Sequence, residues 1–73
     1  MKKRVMDFTV LLERDSDGWY VASVPELSGC YTQGKSVEQA LERVHEAIRA
    51  HIEPNQEPEP MEFIGAHRVS IPA

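Results

Sequence analysis

The sequence predicts an α+β domain with element order β-β-β-α-β, and three observations carry that prediction. Val5 to Arg14 alternates apolar and polar residues, Ser36 to Ile52 repeats apolar positions at spacings of three and four, and Phe63 to Ile71 alternates again. Between the first two lie two short β-rich runs punctuated by proline and glycine.

Each element has a local reason. Met6, Phe8, Val10 and Leu12 fall on one side of the first strand, and Asp7, Thr9, Leu11 and Glu13 on the other. Asp15-Ser16-Asp17-Gly18 then predicts a hairpin, because Asp-Gly tolerates the positive φ of tight turns. Trp19 to Val24 returns as the second strand. Pro25, with no N–H for a ladder, ends it. Pro25 to Gly29 is a turn, Cys30 to Gln33 a short third strand, and Gly34 its close. Ser36-Val37-Glu38-Gln39 fits a capping box, in which Ser36 accepts from the Gln39 N–H and Gln39 reaches back. Val37, Ala40, Leu41, Val44, Ala47, Ile48 and Ile52 make the apolar stripe of the helix, and Pro54 stops it. Glu53 to Pro60 is a polar, proline-spaced connector before the fourth strand, Phe63 to Ile71.

The helix stripe and the apolar side of the first strand need each other, so the helix covers one sheet face. A right-handed parallel crossover places the fourth strand beside the first, for a sheet order of 3-2-1-4. The other face, with Thr9 and Leu11, then stays uncovered. Trp19 and Tyr20 point to opposite faces, and the sequence leaves open which of them enters the core. The exposed one of the pair is a candidate interface anchor.

Seventy-three residues are read as one domain, 1–73. A chain of this size buries only about 60% of the surface its unfolded form exposes, so its core is marginal. Cys30 is the single cysteine, which excludes an internal disulfide, and the histidines show no zinc-type spacing. Self-association as a homodimer or larger oligomer, or a binding partner, is the expected remedy. Twelve acidic against eight basic side chains, a net charge of −4, argue against nucleic-acid binding and suit a basic partner. No apolar run has the length of a signal-peptide core or a membrane span, and the expected location is the cytoplasm.

Catalytic chemistry finds little support. Asp7, Glu13, Asp15 and Asp17 crowd the first hairpin and could hold Mg²⁺, but Asp7 and Glu13 lie near opposite ends of one strand. Asp15 and Asp17 sit where aspartate is favoured for turn hydrogen bonds. His45 and His51 are six residues apart, where a metal pair on a helix needs four, and His67 has no nucleophile near it in sequence. Cys30 is read as a small buried hydrophobe. Gly29 and Gly34 bracket a strand and do not form a phosphate loop; Lys35-Ser36 at a helix start offers only weak anion binding. No cofactor or metal is expected.

The run Asp17-Gly18-Trp19-Tyr20-Val21-Ala22-Ser23-Val24-Pro25-Glu26-Leu27-Ser28-Gly29-Cys30, followed by Thr32-Gln33-Gly34-Lys35-Ser36-Val37-Glu38-Gln39-Ala40-Leu41, resembles the HicB-type antitoxin domain. Glu46-Ala47-Ile48 continues the likeness, which spans about Phe8 to Ile52. Its specific part is Val-Pro-Glu-Leu-Ser-Gly-Cys leading to Gly34. Ser28 stands where the family usually has proline, and Lys35 where it has an acid. Gly18, Pro25, Gly29, Cys30, Gly34 and Ser36 carry the pattern as scaffold residues.

The resemblance implies a partial RNase H-like fold, no catalytic residues, and neutralisation of a small HicA-type mRNA-cleaving toxin by direct binding. Full antitoxins usually append a DNA-binding domain. None is read here, so no direct DNA binding is expected. Candidate interface residues are Trp19, Tyr20, Leu11 and Thr9. The alternatives are an orphan scaffold or ligand-binding module without a toxin, and a metal-dependent nuclease built on Asp7, Asp15 and Asp17.

Overall fold

The computed structural model describes residues 6–52 and 61–72. Three antiparallel strands, β1 (Leu11–Arg14), β2 (Tyr20–Ser23) and β3 (Tyr31–Gly34), form a sheet of order β1-β2-β3, followed by the helix α1 (Val37–Ile52). The expected α+β class and first four elements are present. The strands are shorter than the alternation suggested: Met6 to Val10 precede β1 without joining the ladder. Phe8 and Val10 nevertheless pack against the core, so their burial needs no strand pairing.

Register assigns the two faces. Leu12, Ala22 and Thr32 form one cross-strand row, and Arg14, Tyr20 and Gly34 the next; both point toward α1. Ala22 is fully buried there, with Val24, Leu27, Cys30, Ala40 and Val44 completing the core. The helix lies over β3 and, to a lesser extent, β2. Leu12, on the same face of β1, consequently stays exposed. Arg43 on α1 donates to the Gln33 carbonyl at 3.0 Å, tying helix to sheet.

The β1–β2 turn differs from the expected Asp-Gly form. Gly18 alone has positive φ, at 89°, and its N–H donates to the Asp15 carbonyl at 3.0 Å. The Asp15 N–H donates to the Trp19 carbonyl at 2.9 Å, so the loop holds Ser16, Asp17 and Gly18. A type I turn followed by a left-handed glycine makes such a loop, and Asp17 needs no positive φ. The Asp15 carboxylate accepts from the Asp17 and Trp19 N–H groups, each at 2.9 Å.

The fourth strand expected over Phe63 to Ile71 is not present among the described residues. Residues 61–72 form no strand, and all of them are exposed. The sheet among the described residues therefore ends at β1, in place of the expected order 3-2-1-4. Alternation marks a segment suited to half burial, but a strand also needs a neighbour whose N–H and C=O groups it meets. The connector 53–60 lies outside the described residues.

Candidate protein-binding face

Three backbone hydrogen bonds shape the loop from Val24 to Cys30. Leu27 N–H donates to the Val24 carbonyl at 3.1 Å and Cys30 N–H to the Leu27 carbonyl at 3.1 Å. These are two consecutive turns, and Val24 N–H to the Cys30 carbonyl at 3.0 Å closes the ring. Pro25 occupies the second position of the first turn, where its fixed φ fits. Gly29, at φ 76°, takes the third position of the second, which a type II turn reserves for glycine. Val24, Leu27 and Cys30 thereby all point inward. Burial pushes the Cys30 thiol above its ordinary pKa, so it behaves as packing rather than as a nucleophile.

Glu26 escaped sequence reasoning. Its side chain is buried, and its two carboxylate oxygens accept from the Thr9 N–H at 3.0 and 3.1 Å. Burial raises its pKa, but hydrogen bonds from Thr9 and from its own backbone outweigh that and hold it below the ordinary value. The contact links residues seventeen apart, so no local pattern announced it. His51 was likewise unforeseen in its role. Its Nε2 lies 3.0 Å from the Ser28 carbonyl, joining the end of α1 to the loop.

Gly34 and Ser36 govern the entry to the helix. A Cβ on Gly34 would come within 2.6 Å of the Ala40 backbone nitrogen, so close approach of strand to helix demands glycine. Ser36 Oγ accepts from Gln39 N–H at 3.1 Å as a capping box requires. The return bond differs: Gln39 Oε1 accepts from Lys35 N–H at 2.7 Å, one residue before the cap.

The sheet face away from α1 displays Leu11, Ser23 and Tyr31 in one row and Glu13, Val21 and Gln33 in the next. Trp19 extends this face by alternation from Val21. Lys35 Nζ stands 5.8 Å from the Trp19 ring centroid. Tyr20, by contrast, packs against the core from the helix side, with the Arg14 guanidinium 5.4 Å over its ring. Of the four candidate interface residues, then, Leu11 and Trp19 share the open face. Tyr20 lies behind it, and the Thr9 backbone is engaged by Glu26. Val21 and Tyr31 join the face through register. Tyr31 is 70% exposed, and beside it a shallow groove of about 380 Å³ runs along Leu11, Ser23, Pro25 and Gly29.

Asp7, Glu13, Asp15 and Asp17 are all exposed. Among the described residues, no three His, Cys, Asp or Glu side chains converge as metal ligands, and no helix is long and apolar enough to cross a membrane. His45 and His67 are exposed, each away from the open groove's lining.

A turn ring, a glycine under a helix start and a sheet face that no described element covers are scaffold features, and residues 8–68 match the family model described as HicB_like antitoxin of bacterial toxin-antitoxin system. The chain belongs to the HicB-like antitoxin family. Two relatives agree over nearly the whole length and a third over two thirds of it. A UPF0150 protein of Archaeoglobus fulgidus is 46% identical over 66 residues, 90% of this chain and 96% of the relative. One from Synechocystis is 37% identical over 65 residues, 89% and 94% of the two chains. A third, from Thermoplasma acidophilum, is 54% identical over 48 residues, covering 66% of this chain and 70% of its own. No solved structure matches. For a HicB-like chain, the turn ring and the Gly34 contact are what position the open face.

Proposed function

We propose that this HicB-like chain is a non-catalytic antitoxin that neutralises a small HicA-type mRNA-cleaving toxin by binding it directly. Family membership is the observation that carries the proposal. The open face supports it: Leu11, Val21, Trp19 and Tyr31 present apolar and aromatic surface without a covering helix. Exposed aromatic residues of this kind anchor protein interfaces. The net charge of −4 steers the chain toward a basic partner.

On this proposal the chain works in the cytoplasm as a homodimer or larger oligomer, without contacting DNA itself. A four-stranded, partial RNase H-like sheet is its complete form. The test is co-expression with the product of an adjacent short reading frame, together with calorimetric titration of the purified pair. Restored growth and a saturable complex are expected. A toxin that neither binds nor is silenced would overturn the proposal.

A further inference from the structure

The C-terminal segment is the largest unpartnered feature of the described chain. Met61, Phe63, Ile64, Val69 and Ile71 are between 54 and 82% exposed, half of the exposed large hydrophobic side chains among the described residues. All but Met61 sit in Phe63 to Ile71, a segment with strand alternation but no strand pairing. Its first part, Met61 to Gly65, shares a groove with Thr9, Leu11, Pro25 and Glu26. Beyond it, Ala66 to Pro72 runs on with every residue exposed.

The same molecule carries the matching half. Among the described residues β1 is an edge strand: β2 occupies one side, and nothing pairs with the other. Leu12 on that strand faces the helix side uncovered, because α1 lies over β3 and β2. An unpaired edge and an unpaired strand-patterned segment in one chain can satisfy each other across a two-fold axis. Each copy then donates once and receives once.

We propose that residues 63–71 add as a fourth strand to the β1 edge of a second copy of this chain, reciprocally. The proposal deepens the self-association included in the functional reading above and needs no toxin. Area supports the occupant. Burying Phe63, Ile64, Val69 and Ile71 removes roughly 250–400 Å² per tail at the usual yield of burial. With the surface each tail covers and its symmetry mate, the total reaches roughly 1,000–1,600 Å², which overlaps the range of standard specific interfaces. Exchange also adds β-ladder bonds that leave no exposed edge beside β1.

The test uses the full chain. Sedimentation should give twice the 8.3 kDa chain mass. In a mixture of differently labelled copies, isotope-filtered NMR should place amide contacts between Leu11–Arg14 and residues 63–71 on different chains. Val69→Asp with Ile71→Asp should shift the sedimenting species to monomer while leaving helical circular dichroism intact, since both side chains are already exposed in the single chain. A monomeric wild type overturns both exchange and self-association. A dimer whose 63–71 contacts are all intrachain overturns exchange alone, and neither result bears on toxin binding.

Discussion

At the scale of single residues, two glycines that look alike in sequence have different reasons to be glycine. Gly29 sits at φ 76° with nothing within 4 Å of where a Cβ would be. Gly34 has no positive φ, but its Cβ would strike the helix backbone. Gly29→Ala should therefore cost only the left-handed penalty, about 1–2 kcal/mol. Gly34→Ala forces strand and helix apart, at about 1–3 kcal/mol or more. Gly29→Asn should recover much of the first loss, because asparagine tolerates that region, whereas Gly34→Asn should recover none of the second. Urea unfolding of the four variants checks this; equal rescue at both sites would contradict the assignment.

Glu26 yields a prediction in pH. Its carboxyl titrates below the ordinary 4.5 in the folded chain, so folding favours its charged form. The stability it contributes is complete above the ordinary value and is lost as pH falls through the folded pKa. Glu26→Gln should weaken the Thr9 contact by about 1–2 kcal/mol at neutral pH, a charge-assisted bond becoming a neutral one. The variant and the natural chain should then converge in stability under acid. Parallel curves of thermal midpoint against pH would show that Glu26 does not titrate as described.

At the scale of elements, the helix start has a redundant cap. Ser36 Oγ holds the Gln39 N–H, while the Gln39 side chain holds Lys35. Ser36→Ala should cost about 1 kcal/mol, the usual loss of an N-cap. Gln39→Ala loses the exposed Lys35 bond and keeps the Ser36 cap, so it should cost less. The order of the two thermal midpoints is the check. The strands were legible in the sequence through their alternation and turns. Their ends were not, because a ladder stops where its neighbour stops. Met6 to Val10 alternate as well as Leu11 to Arg14 do, yet only the latter face Tyr20–Ser23.

At the scale of the whole molecule, one sheet face is closed and the other open. The proposed toxin contact belongs to the open one. Tyr31→Ala and Val21→Asp should weaken toxin binding at least roughly tenfold, as interface anchors do. Tyr31→Ala should leave the thermal midpoint nearly unchanged, since that ring is mostly solvent-exposed. Tyr20→Ala should do the reverse in emphasis, lowering the midpoint, because the ring packs against the core. Calorimetric titration beside melting of the same proteins separates the two faces.

The candidate site was only partly readable beforehand. Leu11 follows from alternation within one strand, a period of two that sequence displays directly, whereas alternation puts Trp19 and Tyr20 on opposite faces without saying which is outward. Val21 and Tyr31 join them through the cross-strand register, which depends on how the loops close. Glu26 and His51 reach their partners across seventeen and twenty-three residues, distances at which sequence spacing carries no information.

The sequence by itself determined the α+β class, the capped helix, the glycine-bearing turns and the family, because each rests on local backbone preference or a contiguous motif. Tertiary structure alone decided that Tyr20 turns inward and Trp19 outward, that Gly34 yields space to the helix, and that β1 is an edge among the described residues. It also decided that residues 63–71, patterned as a strand, find no partner in their own sheet. Alternation tells which faces a segment can offer; only the packed chain tells which neighbours are there to meet them.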